Sequence, residues 1–237
     1  MEYMELNRRS FIGSLAATAV MPTFALDTRT EFEKCRDDIL YWVDNYLTVY
    51  DALRGELKMS PQQREYLKRM SETKDILVCA KGRQIGASTA NLVFAHWKTR
   101  FFENQHVFIV EPNLGMASRF QEIDRESIFH TPVPCQEGSM VHITTPRGIE
   151  RGIDWHDPNN TFILDEYAWW GNDCMELGCE KELHNLLMGA QIEGSPLCNV
   201  IVVSTPADHM DSFSMMMNNI DDSRRLVLPS PRNGFIA

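Results

Sequence analysis

Two short stretches carry side chains whose types and spacing suit phosphate chemistry. The first, residues 75–89, reads DILVCAKGRQIGAST: an apolar run, a basic turn punctuated by glycine, then a helix-like segment from Ser88 to Trp97. A strand, a tight loop and a helix start in that order aim loop N–H groups and a helix N-terminus at one spot, as a bound phosphate requires. The second, residues 161–166, reads TFILDE. A buried strand ending in two acids delivers them to the C-terminal edge of a sheet, where a phosphate loop also sits. Asp165 would hold Mg2+ with the Ser88 hydroxyl, and Glu166 would orient or deprotonate the attacking water. The acids follow Ser88 by 77 residues, in the order this chemistry needs. Strands also end in acidic turns for ordinary reasons, so the pair gains its meaning from the loop.

The loop departs from the G-x-x-x-x-G-K-[ST] pattern. Gly86 and Ser88 fit, whereas Ala87 stands in the lysine place and Lys81 in the place of the first glycine. Two further elements bear on a nucleotide. In VVSTP, Ser204 and Thr205 end an apolar run that Pro206 stops, so two hydroxyls would face the γ-phosphate and sense ATP against ADP; a plain strand-ending turn is the competing reading. Ser60 and Pro61 open a helix over residues 62–70 as N-cap and N1 proline. Gln63 sits just inside it, and a glutamine amide can pair with both the donor and acceptor edges of adenine. A solvated helix glutamine is the alternative.

These pieces need a scaffold, and the hydrophobic pattern supplies one. Residues 30–51 read as a helix with Phe32, Ile39, Leu40, Val43 and Leu47 at helical spacing, its aromatic residues packing. Strands are expected at 76–80, 105–110, 140–144, 161–164 and 199–203, with a helix at 117–129. Short apolar runs separated by helices or loops predict a mainly parallel sheet covered on both faces, an α/β fold. At 237 residues the chain holds one large domain, residues 31–237, after an N-terminal segment, residues 1–30. A net charge of −10 argues against coating nucleic acid by bulk electrostatics, though not against a local basic groove. The six cysteines show no C-x-x-C spacing, and Cys79 and Cys198 flank strand-like runs, so buried free thiols are expected. A zinc pair of Cys174 and Cys179 lacks a second ligand pair. Arg8 and Arg9 precede a charge-free stretch to Leu26 that resembles a twin-arginine export signal. The alternative is a packing helix.

Five elements in order resemble the ATPase domain of the large terminase subunits of tailed bacteriophages, over about Ile39 to Phe213. They are ILYWVDNY, MSPQQREYL, KGRQIGAST, FILDEYAWW and VVSTPA. The resemblance implies a P-loop NTPase fold of the additional-strand, catalytic-glutamate type. It also implies a nucleotide site of Gln63, Lys81, Gly82, Arg83, Gln84, Ile85, Gly86, Ala87, Ser88 and Thr89. In this family the phosphate-binding lysine often stands at the loop's start, here Lys81, with an arginine before the glutamine, here Arg83. Ser88 and Asp165 are the implied metal ligands, Glu166 and Arg83 the catalytic residues, and Ser204, Thr205 and Pro206 the coupling motif. Arg147 and Arg151 are alternative arginines. The implied cofactors are ATP and Mg2+. The implied partners are double-stranded viral DNA, the portal protein, the small terminase subunit and further copies in a ring, at the prohead portal in the host cytoplasm. The expected nuclease domain of such proteins has no room here, which implies a separate nuclease chain or a truncated fragment serving as an assembly piece; Asp208, Asp211, Asp221 and Asp222 do not frame one. A secreted protein with vestigial nucleotide motifs is the reading favoured by residues 7–26 alone.

Overall fold

The computed structural model describes residues 28–51, 55–130, 135–149, 157–170, 198–206 and 212–230. Two compact units, Met1–Thr30 and Glu31–Ala237, make up the chain, and the second carries every element below. In order these are α1 (Glu31–Asp37), α2 (Ile39–Tyr46), β1 (Leu47–Asp51), β2 (Gly55–Leu57), α3 (Pro61–Glu72), β3 (Ile76–Lys81), α4 (Ala87–Phe101), β4 (His106–Val110), α5 (Leu114–Ser127) and β5 (Ile128–His130). There follow β6 (Met140–Thr144), α6 (Pro146–Ile149), β7 (Asn160–Asp165), β8 (Asn199–Ser204), α7 (Ser212–Asn219) and β9 (Arg225–Leu228).

Six strands form one parallel sheet in the order β6-β4-β7-β8-β3-β9. Its central strands are buried almost throughout because helices cover both faces, and side-chain alternation divides their apolar residues cleanly. Leu77, Cys79, Val107, Ile109, Ile163, Ile201 and Val203 pack into the core shared with α1–α4. Ile76, Val78, Phe108, Phe162, Leu164, Val200 and Val202 pack into the opposite core with Phe213 and Met216 of α7. The first core carries the site. Within it α4 runs across the sheet, nearly every residue from Ala90 to Phe101 buried, and Trp97 donates to the Cys35 carbonyl at 2.8 Å, tying α1 to it. Cys79 and Cys198 are buried free thiols, as expected.

The long helix expected over residues 30–51 is instead two helices and a strand. Asp38 leaves helical geometry (φ −140°) and its carboxylate caps α2 by accepting from the Leu40 and Tyr41 amides. Past Tyr46 the sequence Leu47-Thr48-Val49-Tyr50 favours a pleated surface, and β1 joins β2 and β5 in a small antiparallel sheet. The edge strand β9 is absent from the sequence-based expectation. The helix expected at 117–129 begins earlier, at Leu114, and ends at Ser127.

Candidate functional site

The sheet order puts the basic loop and the two acids at one edge. The loop strand β3 and the acidic strand β7 are separated by β8 alone, so Lys81, Asp165, Glu166, Ser204 and Thr205 meet at the C-terminal edge. Cys79 aligns with Val203 and Val203 with Asp165. Neighbouring parallel strands lie about 4.8 Å apart.

Between β3 and α4 the chain turns within residues 82–86, with Gln84 at φ 61° and Gly86 at φ 75°. The second value is the left-handed region, where glycine carries no Cβ penalty. Gly86 precedes α4 without a side-chain cap, so the first amides of α4, from Ala87, Ser88 and Thr89, are the helix N–H groups that an anion would meet. Gly82 is glycine for a different reason: a Cβ there would meet the Ser230 backbone nitrogen at 2.3 Å. Ile85 is buried and anchors the loop, whereas Arg83 and Gln84 are exposed.

Ser88 donates its hydroxyl to Asp165 Oδ2 at 3.2 Å, and Asn91, one turn further along α4, donates to the same oxygen at 3.1 Å. Asn91 is itself held by the buried Tyr66 hydroxyl at 3.0 Å. The other Asp165 oxygen accepts the Glu166 amide at 2.9 Å. Burial pushes the Asp165 pKa up to about 6; Lys81 opposes this, and the Glu166 carboxylate adds to it. Glu166 stands at φ 50°, on the turn into a short 3₁₀ helix from Tyr167 to Trp169. Its Oε1 pairs with Lys81 Nζ, and its Oε2 accepts the Thr205 amide at 3.2 Å. Ser204, fully buried, accepts the Ala168 amide at 3.0 Å and donates to the Thr205 carbonyl at 3.2 Å. The end of β8 is thereby joined to the turn that carries Glu166. Pro206 follows, exposed, outside the strand.

Gln63 lies against the loop. Its Oε1 accepts the Ser60 amide at 2.8 Å, completing a capping box, and its Nε2 donates to the Gly86 carbonyl at 3.1 Å. Both ends of the amide are therefore engaged by the protein, bracing the phosphate loop against α3. An open cavity of about 540 Å³ faces this constellation, lined by Lys81, Arg83, Gln84, Pro112, Asn113, Met116, Glu166, Trp169 and Thr205.

The donor set suits Mg2+, a hard cation that takes one or two protein oxygens and keeps much of its water. A hydroxyl and a fixed carboxylate oxygen, 3.2 Å apart, meet at the foot of the cavity-facing loop. Among the described residues, no group of three His, Cys, Asp or Glu side chains is placed to cage a metal unaided.

Two site residues escape the sequence-based reading. Asn91 is a buried amide in an apolar helix, three positions past Ser88 and so on the same face. Glu111 follows the apolar run of β4 as Asp165 ends that of β7, and it is fully buried. Burial pushes its pKa up to about 9, the Asp165 and Glu166 carboxylates reinforce this, and Lys81 opposes it. Arg151, Cys174, Cys179, Asp208 and Asp211 lie outside the described residues, as do the side chain of Arg147 and the twin-arginine stretch. Asp221 and Asp222 flank β9, where Asp222 pairs with Arg225, away from the acids of β7. Among the described residues no helix is long and apolar enough to cross a membrane.

No protein-family model matches the sequence. Among solved structures, the UvsW helicase from bacteriophage T4 aligns with a TM-score of 0.53 at 10% identity, over 82% of this chain and 67% of the helicase. The large terminase from a thermophilic bacteriophage, in complex with ADP, aligns with a TM-score of 0.47 at 12% identity, over 73% of this chain. This chain spans only 45% of that terminase. The large terminase ATPase domain of Thermus phage P74-26 aligns at 0.40 and 15% identity, over 73% of this chain and 86% of that one. The six-stranded parallel sheet with flanking helices is the α/β fold expected from the sequence, and it is shared with the UvsW helicase.

Proposed function

We propose that this chain is an ATP-hydrolysing motor subunit that drives packaging of viral double-stranded DNA into a prohead. The observation that carries the ATPase part is the Ser88–Asp165 hydrogen bond, which joins the loop helix to the acidic strand with Glu166 one residue on. The five terminase-like sequence elements, in family order, support the packaging part.

In this reading Lys81 and the amides of Ala87, Ser88 and Thr89 bind the phosphates, and Gln63 keeps the loop in shape on the adenine side. Ser88 and Asp165 hold Mg2+, which when bound spreads the negative charge that builds on the transferring phosphoryl group. Glu166 orients the attacking water and takes its proton. Arg83, exposed at the cavity, offers a planar fork to the γ-phosphate from within the same chain. Ser204 and Thr205 report the state of Glu166 to the end of β8. The partners are a portal protein, a small terminase subunit and further copies of this chain in a ring. The place of work is the host cytoplasm, at the prohead portal.

The test is Mg2+-dependent ATP hydrolysis by the purified chain, followed by ATP-dependent protection of double-stranded DNA from added nuclease when portal-bearing proheads are supplied. Hydrolysis with protection supports the motor. Hydrolysis with strand separation and no protection would replace packaging by a helicase activity. Absence of hydrolysis would leave an assembly piece on the same fold.

A further inference from the structure

We infer that Glu111 is a third acidic residue of the nucleotide site, a positioning residue that orders the water around a divalent cation held by Ser88 and Asp165. This rests on the nucleotide-site reading above and extends it to a residue that the phosphate-loop and acidic-strand motifs do not include.

Three observations converge. Val110 aligns with Leu164 in the parallel pairing of β4 and β7, so the next residues, Glu111 and Asp165, stand level at the ends of adjacent strands. Alternation puts them on one face: Val107 and Ile109 of β4 and Ile163 of β7 all pack into the α4 core, and Glu111 and Asp165 continue those two rows. The backbone of Glu111 is fixed, its amide donating to the Thr144 carbonyl at 2.9 Å. The side chain is fully buried, yet among the described residues neither carboxyl oxygen has a hydrogen-bond partner. Buried polar groups are nearly always satisfied, and an orphan points to a water or ion at that place.

The neighbours are otherwise committed. Asp165 spends one oxygen on Ser88 and Asn91 and the other on the Glu166 amide. Glu166 spends its two on Lys81 and the Thr205 amide. Among the described acids of this edge, Glu111 is the one whose two carboxyl oxygens accept no hydrogen bond. No three such groups close on a single point among the described residues, which assigns Glu111 to the water around the cation and not to direct coordination.

The experiment uses the full chain, with Mn2+ as the probe in the presence of ADP, followed by electron paramagnetic resonance. Glu111→Gln keeps the shape and removes the ionisable carboxyl group. It should weaken Mn2+ binding about tenfold, the usual consequence of losing an outer-shell partner, while ADP affinity without metal stays within twofold. Glu111→Asp should recover part of the loss, and it provides the measurement if the glutamine variant does not fold. Unchanged Mn2+ affinity in a folded variant, or a parent chain that binds no Mn2+ with ADP, would overturn the inference. The two readings fail separately. A parent that hydrolyses ATP beside a silent Glu111→Gln sinks only this inference; weakened Mn2+ binding in a chain without turnover sinks only the motor.

Discussion

Lys81 Nζ pairs with Glu166 Oε1 across the C-terminal edge of the sheet. In the proposed reading these are the residue that binds phosphate and the residue that handles water. On that reading a phosphate entering the loop should compete with Glu166 for the lysine and release the carboxylate.

Glu166→Gln should consequently do two things at once. Turnover should fall by about 10²–10⁴-fold, the range for loss of a positioned base. Nucleotide affinity should hold or rise a fewfold, because Lys81 no longer has an anionic partner to leave. Calorimetric titration with ATP beside a steady-state assay reads both. Lys81→Ala should weaken nucleotide binding at least tenfold, and equal affinity in that variant would transfer the phosphate contact to Arg83. An active Glu166→Gln enzyme would remove Glu166 from its assigned role.

Ser204 ties the end of β8 to the turn after Asp165. Its hydroxyl is the acceptor for the half-buried Ala168 amide. Ser204→Ala leaves that N–H without its partner, which costs about 1–3 kcal/mol. Nucleotide affinity should change less than twofold while turnover drops, since Thr205 and the turn after Asp165 lose their common tie. A variant with full turnover would make Ser204 structural only.

How much of this is legible in the sequence follows from what each element is made of. Strands β3, β4, β6, β7 and β8 read directly, because apolar runs such as ILVCA and NVIVV have no other comfortable home. Ser60 as N-cap with Pro61 at N1 reads from residue type and spacing alone, whereas Gln63, expected at adenine, is the other half of a capping box. β9 does not: RLVL is four residues long and opens on an arginine, and its place beside β3 rests on pairing that local pattern cannot encode. β1 is hidden by helical spacing that runs on from α2 through Leu47. At the site, Lys81, Ser88, Asp165 and Glu166 stand out as motif residues. Glu111 does not, because an acid before proline reads as a turn until the sheet register sets it beside Asp165.

The pH dependence of stability should reflect that same pair. Asp165 and Glu111 are raised to about 6 and about 9. A carboxyl raised in the folded state holds its proton more tightly there than in the unfolded chain. Its contribution is complete below the unfolded pKa and is lost as pH climbs through the folded value. These two groups should therefore lower stability between about pH 4 and pH 9, both contributing below about pH 6 and Glu111 alone above it. Glu111→Gln should flatten the decline above pH 6, raising Tm at pH 9 by about 3–6 °C, with little change at pH 5. Thermal melts across that range decide it, and parallel curves for parent and variant would contradict the assignment.

Gly82 offers a purely steric test of how β9 supports the loop. Its amide donates to the Leu228 carbonyl at 2.7 Å, and a Cβ would lie 2.3 Å from the Ser230 nitrogen and 2.5 Å from its Cα. Backbone cannot swing aside as a flexible side chain can, so Gly82→Ala must push residues 228–230 away or move the start of the loop. Overpacking of this kind costs about 1–3 kcal/mol, a Tm decrease of about 2–4 °C per kcal/mol for a domain of this size. Because Lys81 pairs with Leu228 across β3 and β9, the same displacement should loosen the lysine and weaken nucleotide binding. Gly115→Ala is the control, since its new methyl meets only the Asn113 side-chain oxygen, at 3.3 Å. Equal stability of the two variants would mean that β9 yields freely and does not hold the phosphate loop in place.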